Sequence, residues 1–302
     1  MSAPRHERLA QLLAAADELR PELHRYCARL MGSVIEGEDV VQDTLVRAFV
    51  ALPELPEPPP LRPWLFRIAH NRALDLLRGR AVRRAEPMEA AIDIADTATP
   101  GPEEALMRRQ AVGTAVARFA ELPTLQRSVV VLKDVLDESL AEIAELLELT
   151  IDAVKAHLAR GRARLQQINA QAGPPADARP ASAAAARYAA LFNQRDWDGL
   201  RALLADDVRL VQSAHPPRVG RADVGLFFTL YARVEDLRLA PAWLEDREVI
   251  AVFEPAAAPR PSYLMWLDWR DGRIVFIRDY RHVRYVGADA ALVPAAPAGA
   301  AH

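Results

Sequence analysis

An arginine-rich stretch from Pro63 to Arg84 carries the residue types best suited to holding a nucleic acid. Its apolar residues recur near a helical period, which predicts an amphipathic helix. From Arg62 to Arg84 there are seven arginines and one acid, whereas the whole chain has a formal net charge of −3. Arginines bind phosphates, and the amide of Asn71 and the indole of Trp64 can contact bases. An ordinary solvated basic face is the alternative.

A second candidate is a short helix, a tight turn and a longer basic helix. Ser139 with Glu142 three residues later forms a capping-box pattern, and Thr150 predicts the cap of a helix over Ile151–Gln167. This order is typical of a helix-turn-helix, whose second helix enters the major groove. The candidates for its DNA side are Asp152, Lys155, Ala156, His157, Ala159, Arg160 and Arg162. A plain helical hairpin is the alternative.

The helices that precede the arginine-rich stretch form a third element. Residues 5–30 have helical spacing, and Pro21 predicts the start of a second helix. Gly32 and Gly37 are expected to bracket a turn before a helix that begins near Glu38-Asp39. Val41, Leu45, Ala48 and Phe49 make its inner face and leave Asp39, Gln42, Asp43, Val46 and Arg47 outward. Prolines between Pro53 and Pro60 predict an extended loop.

Composition changes divide the chain further. Glu86–Glu104 is acidic and proline-containing and predicts a flexible linker, followed by a helix from Pro102 to about Ala120. After a second proline-rich linker, two helices lead into segments with strand alternation, and Asp271-Gly272 predicts a type I′ hairpin. Helices followed by antiparallel strands indicate an α+β domain with a curved sheet. The tail from Ala288 is expected to be disordered.

The last domain contains several groups that could do acid–base chemistry. They are Asp206, Asp207, His215, Asp279 and His282, and the tryptophans that could line a pocket are Trp197, Trp243, Trp266 and Trp269. No spacing among them requires catalysis, and isolated histidines in strands are usually structural. We therefore expect no enzyme, and keep Trp197, Trp243, Trp266 and Asp279 as a possible ligand pocket.

Composition excludes several classes of protein. An apolar content of 51% with 26% charged residues is typical of a globular chain, and the net charge of −3 excludes a generally basic DNA coat. The single cysteine, Cys27, excludes an intramolecular disulfide framework and a zinc cluster, and is expected in the core. No signal peptide or membrane span is evident, so we expect a cytoplasmic protein with no cofactor and no metal.

Three ordered motifs identify a family resemblance. Glu38–Thr44, the Trp64–Arg78 stretch and the segment from Leu122-Pro123 through the helix-turn-helix resemble bacterial sigma factors of the extracytoplasmic-function class, over residues 5–168. The last third, with Tyr188–Asn193, Asp196-Trp197 and Leu203–Val208, resembles a SnoaL-like domain. The resemblance implies two all-α domains, a region 2-like bundle and a region 4-like helix-turn-helix, followed by an α+β cone. The domain boundaries are 5–85, 105–168 and 181–287, with linkers at 86–104 and 169–180 and a tail at 288–302.

The resemblance also assigns roles. Asp39, Gln42, Asp43 and Arg47 match the helix that docks on the β′ clamp of RNA polymerase, and the family also contacts the β flap. Asn71 matches the residue that reads an extruded base of the −10 promoter element. The remaining −10 residues are Trp64, Arg67, Arg72, Arg78, Arg80, Arg83 and Arg84. The residues that the resemblance assigns to the −35 element are Thr150, Asp152, Lys155, His157, Arg160 and Arg162.

Two departures and two rival functions accompany this interpretation. The loop Leu55–Leu61 is proline-rich and lacks the usual aromatic residue, and Glu148 stands where glycine is common. The fused cone is expected to regulate the sigma domains by intramolecular contact. One rival is a ligand-binding or cyclase-like cone that a helical half tethers to DNA. The other is a helix-turn-helix repressor that never contacts polymerase.

Overall fold

The computed structural model describes residues 5–84, 107, 111–112, 114–171, 179–213 and 215–296. The chain divides into two units, Met1–Ala172 and Gly173–His302. The predicted linker at 86–104 lies outside the described residues, as do 172–178 of the second linker. Each unit has its own hydrophobic core and is treated by itself.

Within its described residues, the first unit consists of helices and the turns between them. Its α-helices are α1 (Arg5–Met31), α2 (Val34–Ala51), α3 (Leu61–Arg84), α4 (Thr124–Val130), α5 (Leu140–Leu147) and α6 (Ile151–Ala170). Short 3₁₀ segments cover Leu52–Glu54 and Val116–Glu121, and Val131–Val135 continues α4 as a π-helical turn. The arginine-rich helix is therefore confirmed.

Two predicted boundaries near the N-terminus are wrong. Pro21 lies inside the continuous helix α1 and does not begin a new one. Gly37 lies inside α2, which begins at Val34 with the Ser33 hydroxyl accepting from the Glu36 amide at 3.3 Å. A Cβ on Gly37 would come within 2.5 Å of the Ala28 backbone. Gly37 therefore serves the close packing of α2 on α1 rather than a turn.

The helix-turn-helix is confirmed in detail. Ser139 and Glu142 form both hydrogen bonds of the capping box at the start of α5, and Thr150 caps α6. Glu148 adopts the left-handed conformation with φ of 57°, which explains why glycine suits this position. The helix predicted to reach Ala120 is wrong at its end, since Val116–Glu121 is 3₁₀ and most of its earlier part lies outside the described residues.

One hydrophobic core runs through the whole first unit. It joins buried side chains of α1 to α3, such as Leu23 and Phe66, to those of the helix-turn-helix, such as Ile143 and Leu158. Phe119 of the 3₁₀ segment is fully buried in the same core. The two predicted helical domains are thus packed as one body.

In the part of the second unit that the structure describes, the fold is α+β and contains seven strands. They are β1 (Leu204–Gln212), β2 (Arg218–Val219), β3 (Arg238–Leu244), β4 (Arg247–Phe253), β5 (Tyr263–Arg270), β6 (Arg273–Asp279) and β7 (Val293–Pro294), in the order β2-β1-β6-β5-β4-β3-β7. The helices are α7 (Ala183–Asn193), α8 (Trp197–Ala202), α9 (Arg221–Tyr231) and α10 (Tyr285–Ala288). The sheet is mixed, because β1 and β6 pair in parallel.

The predicted hairpin turn of this unit is confirmed, whereas the predicted disorder of its C-terminal tail is not. Asp271 and Gly272 have φ of 53° and 71°, as the predicted type I′ turn requires. The prediction of a disordered tail from Ala288 is wrong as far as Ala296, because β7 pairs with β3 and Ala296 bridges Pro180. Residues 297–302 lie outside the described part.

Candidate nucleic-acid interface

Helix α3 presents one exposed polar stripe. Arg67, Asn71, Asp75 and Arg78 follow each other at intervals of four, four and three residues, and all four are exposed. This spacing places them on one face of the helix. Trp64 is half-buried against the core at the start of the stripe. The stripe thus combines two cations, an amide and an indole, which suit phosphate and base contacts, with one acid, Asp75, that lies 3.5 Å from Arg78.

The other predicted arginines of α3 are engaged by acids of α2. Arg72 forms an ion pair with Asp43, and Arg80 lies 2.6 Å from the Glu36 carboxylate. Both arginine side chains are about 30% exposed, at 28% and 30%. Arg83 and Arg84 lie within the helix, and their side chains are outside the described part. Arg72 and Arg80 therefore position α3 on α2 as well as adding positive charge.

Helix α2 turns a mixed polar and apolar face outward. Asp39 and Arg47 are exposed, and the amide of Gln42 donates to the buried carboxylate of Glu38 at 2.7 Å. Val46 and Val50 on the same helix are 60% and 70% exposed. The predicted outward face includes Val46 but omits Val50, although the i,i+4 spacing of these two valines beside acids is visible in the sequence. This face suits a partner that offers both charges and apolar side chains.

The second helix of the helix-turn-helix exposes its first turns. Asp152 and Lys155 are exposed, and their charges lie 3.6 Å apart. Ile151, which is absent from the predicted −35 residues, is 45% exposed beside them. The inner face of α6 buries Val154, Leu158, Leu165 and Ile168. Base edges are read by this end of such a helix, so Ile151 joins the candidate set.

Arg162 departs from its predicted role. Its guanidinium donates two hydrogen bonds, at 2.9 and 2.5 Å, to the carboxylate of Asp134, which is 2% exposed. The bidentate pair ties α6 to the π-helical turn. The sequence prediction that Arg162 faces DNA is therefore not supported by its geometry. His157 and Arg160 are half-buried and lie 3.4 Å apart on the flank of α6.

Comparison with known families identifies three consecutive domains. The sigma-70 region 2 family matches residues 16–83, the sigma-70 region 4 family matches 115–165, and the SnoaL-like domain family matches 185–277. The chain is 37% identical to RNA polymerase sigma factor CnrH of Cupriavidus metallidurans, over 43% of this chain and 72% of CnrH. It is 32% identical to ECF RNA polymerase sigma factor SigM of Mycobacterium tuberculosis, over 54% of this chain and 86% of SigM. The chain belongs to the ECF family of RNA polymerase sigma factors.

Two further relatives extend the comparison. ECF sigma factor SigG of Mycobacterium tuberculosis is 33% identical, and the match covers 65% of this sigma factor but only 60% of SigG. The crystal structure of the Mycobacterium tuberculosis ECF sigma factor SigJ matches at 19% identity with a TM-score of 0.35, over 91% of this chain and 98% of SigJ.

The interior of the SnoaL-like unit of this sigma factor holds a buried polar cluster. Asp279, at the end of β6, is 1% exposed. Its carboxylate accepts from the Gln212 amide at 2.7 Å, the Tyr231 hydroxyl at 3.2 Å and the Arg281 backbone amide at 3.1 Å. The hydroxyl of Tyr263 lies 3.0 Å from that of Tyr231. Burial raises the pKa of Asp279 to about 6, and these donors oppose the rise.

The predicted ligand pocket is not assembled as expected. Met265 faces Asp279 across β5 and β6, so the next residue, Trp266, lies on the opposite face of the sheet. There it packs on Phe276, with its ring under Arg247. Trp243 lies on β3, three strands from β6 or about 14 Å away at ~4.8 Å per strand. The prediction that Trp266 lines one pocket with Asp279 is therefore wrong, whereas the place of Trp243 in such a pocket stays a prediction. Trp197 packs on Phe192 of the same unit's core.

The other acid–base candidates lie outside the buried polar cluster around Asp279. Asp206 and Asp207 form surface ion pairs with Arg221 and Arg270. The rings of His215 and His282 meet edge to face at 4.4 Å, and partial burial and the facing His215 lower the pKa of His282. Among the described residues, no three His, Cys, Asp or Glu side chains gather as a metal ion would need. None of the described helices has the length and apolar character to cross a bilayer.

Proposed function

We propose that this protein directs RNA polymerase core to specific promoters in the cytoplasm by reading −10 and −35 DNA. The observation that carries the proposal is the exposed stripe Arg67–Asn71–Arg78 on α3, next to the outward face of α2 and in the same unit as a helix-turn-helix. One surface fits DNA and its neighbour fits a protein. That combination is what a subunit linking polymerase to promoters requires.

Each site is assigned one part of this work. The α3 stripe binds the −10 element: Asn71 forms hydrogen bonds with an unstacked base, and the arginines contact the phosphate backbone. The first turns of α6 bind the −35 element, with Lys155 and Ile151 directed toward the major groove. The outward face of α2 binds the β′ clamp of the polymerase through Asp39, Gln42, Asp43, Val46, Arg47 and Val50. The β flap binds the lobe that contains the helix-turn-helix.

The SnoaL-like unit acts in this proposal as an intramolecular regulator of the sigma domains. Only eight residues separate α6, which ends at Ala170, from Arg179, where the described second unit begins. A tether of that length keeps the unit at high effective concentration near the sigma domains. Catalysis is not assigned to it, because its buried carboxylate is already satisfied by three donors.

Promoter-specific run-off transcription tests the proposal. Core polymerase with the full chain is expected to start at defined sites, and Asn71→Ala is expected to retain duplex binding while losing permanganate-reactive melting. Leu13→Ala, which changes an exposed residue of α1, is the matched control. A chain ending at Ala172 tests the regulatory part, since equal activity on every promoter would exclude it. A helix-turn-helix repressor would bind its sites equally well without polymerase and would be insensitive to Asp43→Arg.

A further inference from the structure

One arginine bridges the two promoter-reading lobes of the first unit, the lobe of α1 to α3 and the helix-turn-helix lobe, which comprises α4 to α6. Arg62, at the start of α3, lies 2.5 Å from the Glu22 carboxylate of α1 and also pairs with Glu138, the residue before the cap of α5. Its guanidinium stacks over the ring of Phe66 at 5.1 Å. The hydrogen bond to Glu138, above all, raises the pKa of Arg62, so the bridge stays charged.

A second arginine fixes the same lobes from inside. Arg127 of α4 is 5% exposed and donates to the carbonyl of Leu30 in α1 at 2.5 Å. It also donates to the carbonyls of Ala120 and Leu122, at 2.7 and 2.8 Å. Beside it, a Cβ on Gly32 would come within 2.6 Å of the Ala120 side chain. The lobes therefore touch closely along the end of α1.

This packing limits how far apart the two reading helices can lie. Asn71 is nine residues along α3 from Arg62, or about 14 Å. The bridge from Arg62 to Glu138 spans at most about 15 Å between Cα atoms, and the path from Glu138 to Lys155 reaches at most about 35 Å. Laid in one straight line, these pieces total about 65 Å. The −10 and −35 elements, about 25 base pairs apart by their names, are separated by about 85 Å of straight duplex.

We propose that the Arg62 bridge to Glu22 and Glu138 is a latch that holds the two promoter-reading helices in a closed state. The inference rests on the proposed function, because only a chain that must span both elements needs to open. The latch can release, since Arg62 is 38% exposed and water can replace its partners. Arg127, by contrast, is buried against three carbonyls and sets how firmly the closed state packs.

Opening and binding are thermodynamically linked in such a chain. If core polymerase and promoter bind only the open state, their apparent affinity falls by the fraction of chains that are open. Breaking a partly exposed ion pair is expected to raise that fraction about three- to tenfold. The apparent affinity for core polymerase should then rise by the same factor.

Distance measurement between spin labels in the full chain tests the latch. Leu13→Cys and Gln167→Cys place labels at exposed sites of α1 and α6, and the native Cys27 is fully buried. We expect one short distance in the free chain and a long one on adding core polymerase and promoter. Arg62→Glu should raise the long-distance fraction without polymerase, and adding Glu138→Arg should restore the short distance.

The controls separate the possible failures. Arg25→Glu makes the same charge change at an exposed site of α1 and should leave the distances unchanged. Arg62→Gln gives a milder break if Arg62→Glu does not fold, as judged by circular dichroism. A long distance in the free wild-type chain, or no response to either Arg62 variant while transcription is normal, would overturn the latch alone. Absence of polymerase-dependent transcription by the wild type would overturn the proposed function instead.

Discussion

The carboxylate of Asp43 on α2 forms an ion pair with Arg72 on α3 and also accepts from Arg47 at 3.4 Å. One acid therefore serves the face assigned to polymerase and restrains an arginine beside the face assigned to DNA. Asp43 is 34% exposed, so both partners compete with water and with any ligand that arrives. The two surfaces of the region 2 lobe are electrostatically coupled through this residue.

Replacing Asp43 should therefore move two affinities in opposite directions. Asp43→Asn removes a charge from the polymerase face and frees Arg72 for phosphate, so we expect weaker binding of core polymerase and tighter binding of promoter duplex. A change of up to about fivefold in each is the size of one exposed charge pair. Asp17→Asn, an exposed site on α1, is the control. Equal loss of both affinities would point to simple misfolding.

Two arginines that look alike in the sequence should behave differently. Arg67→Ala on the exposed stripe should lower the slope of log affinity against log salt by about one, with little change in stability. Arg162→Ala should instead destabilise the first unit by roughly 3–5 kcal/mol, because it leaves the buried Asp134 charge unpaired. Salt titration of promoter binding and urea denaturation distinguish them. A slope that responds only to Arg162 would reverse the assignment.

Local signals predicted much of the first unit. The capping box at Ser139 and the cap at Thr150 are short-range patterns, and both appear as predicted. Pro21 and Gly37 misled the prediction because tertiary packing overrides local preference: α1 continues through its proline, and Gly37 is needed where α2 approaches Ala28. Residue type alone could not reveal that Arg162 meets Asp134, 28 positions away.

Long-range pairing explains the errors in the second unit. Alternation predicted the strands, but it carries no information on which strands pair, so the parallel contact of β1 with β6 was not foreseen. The same register separates Trp266 from Asp279. Asp279 was selected as a chemical residue, whereas its partners Gln212, Tyr231 and Tyr263 were not, because they come from three different elements.

The exposed side chain of Ile151 should contact the C5 methyl group of a thymine in the −35 element. Ile151 is the first residue of α6, next to Asp152 and Lys155, and thymine alone offers a C5 methyl in the major groove. Replacing thymines of the −35 element with uracil should weaken wild-type binding at one position by about threefold to tenfold, and Ile151→Ala should be insensitive there. Val46→Ala, at an exposed apolar site on α2, controls for the loss of apolar surface. Wild-type binding indifferent to every uracil would exclude this contact.

The buried carboxylate of Asp279 should make the stability of the second unit depend on pH. Because burial raises its folded-state pKa to about 6 from 3.8, the folded state binds the proton more tightly than the unfolded state. Its contribution is therefore full below about pH 3.8 and is lost as pH rises through 6, a change of roughly 3 kcal/mol for two units of pKa. In thermal melts between pH 4.5 and 7.5, the stability of the wild type relative to Asp279→Asn should fall as the pH rises, because the asparagine has no proton to release. Asp268→Asn, at an exposed site of β5, should keep the wild-type profile, and parallel curves for wild type and Asp279→Asn would show that Asp279 is ionised throughout.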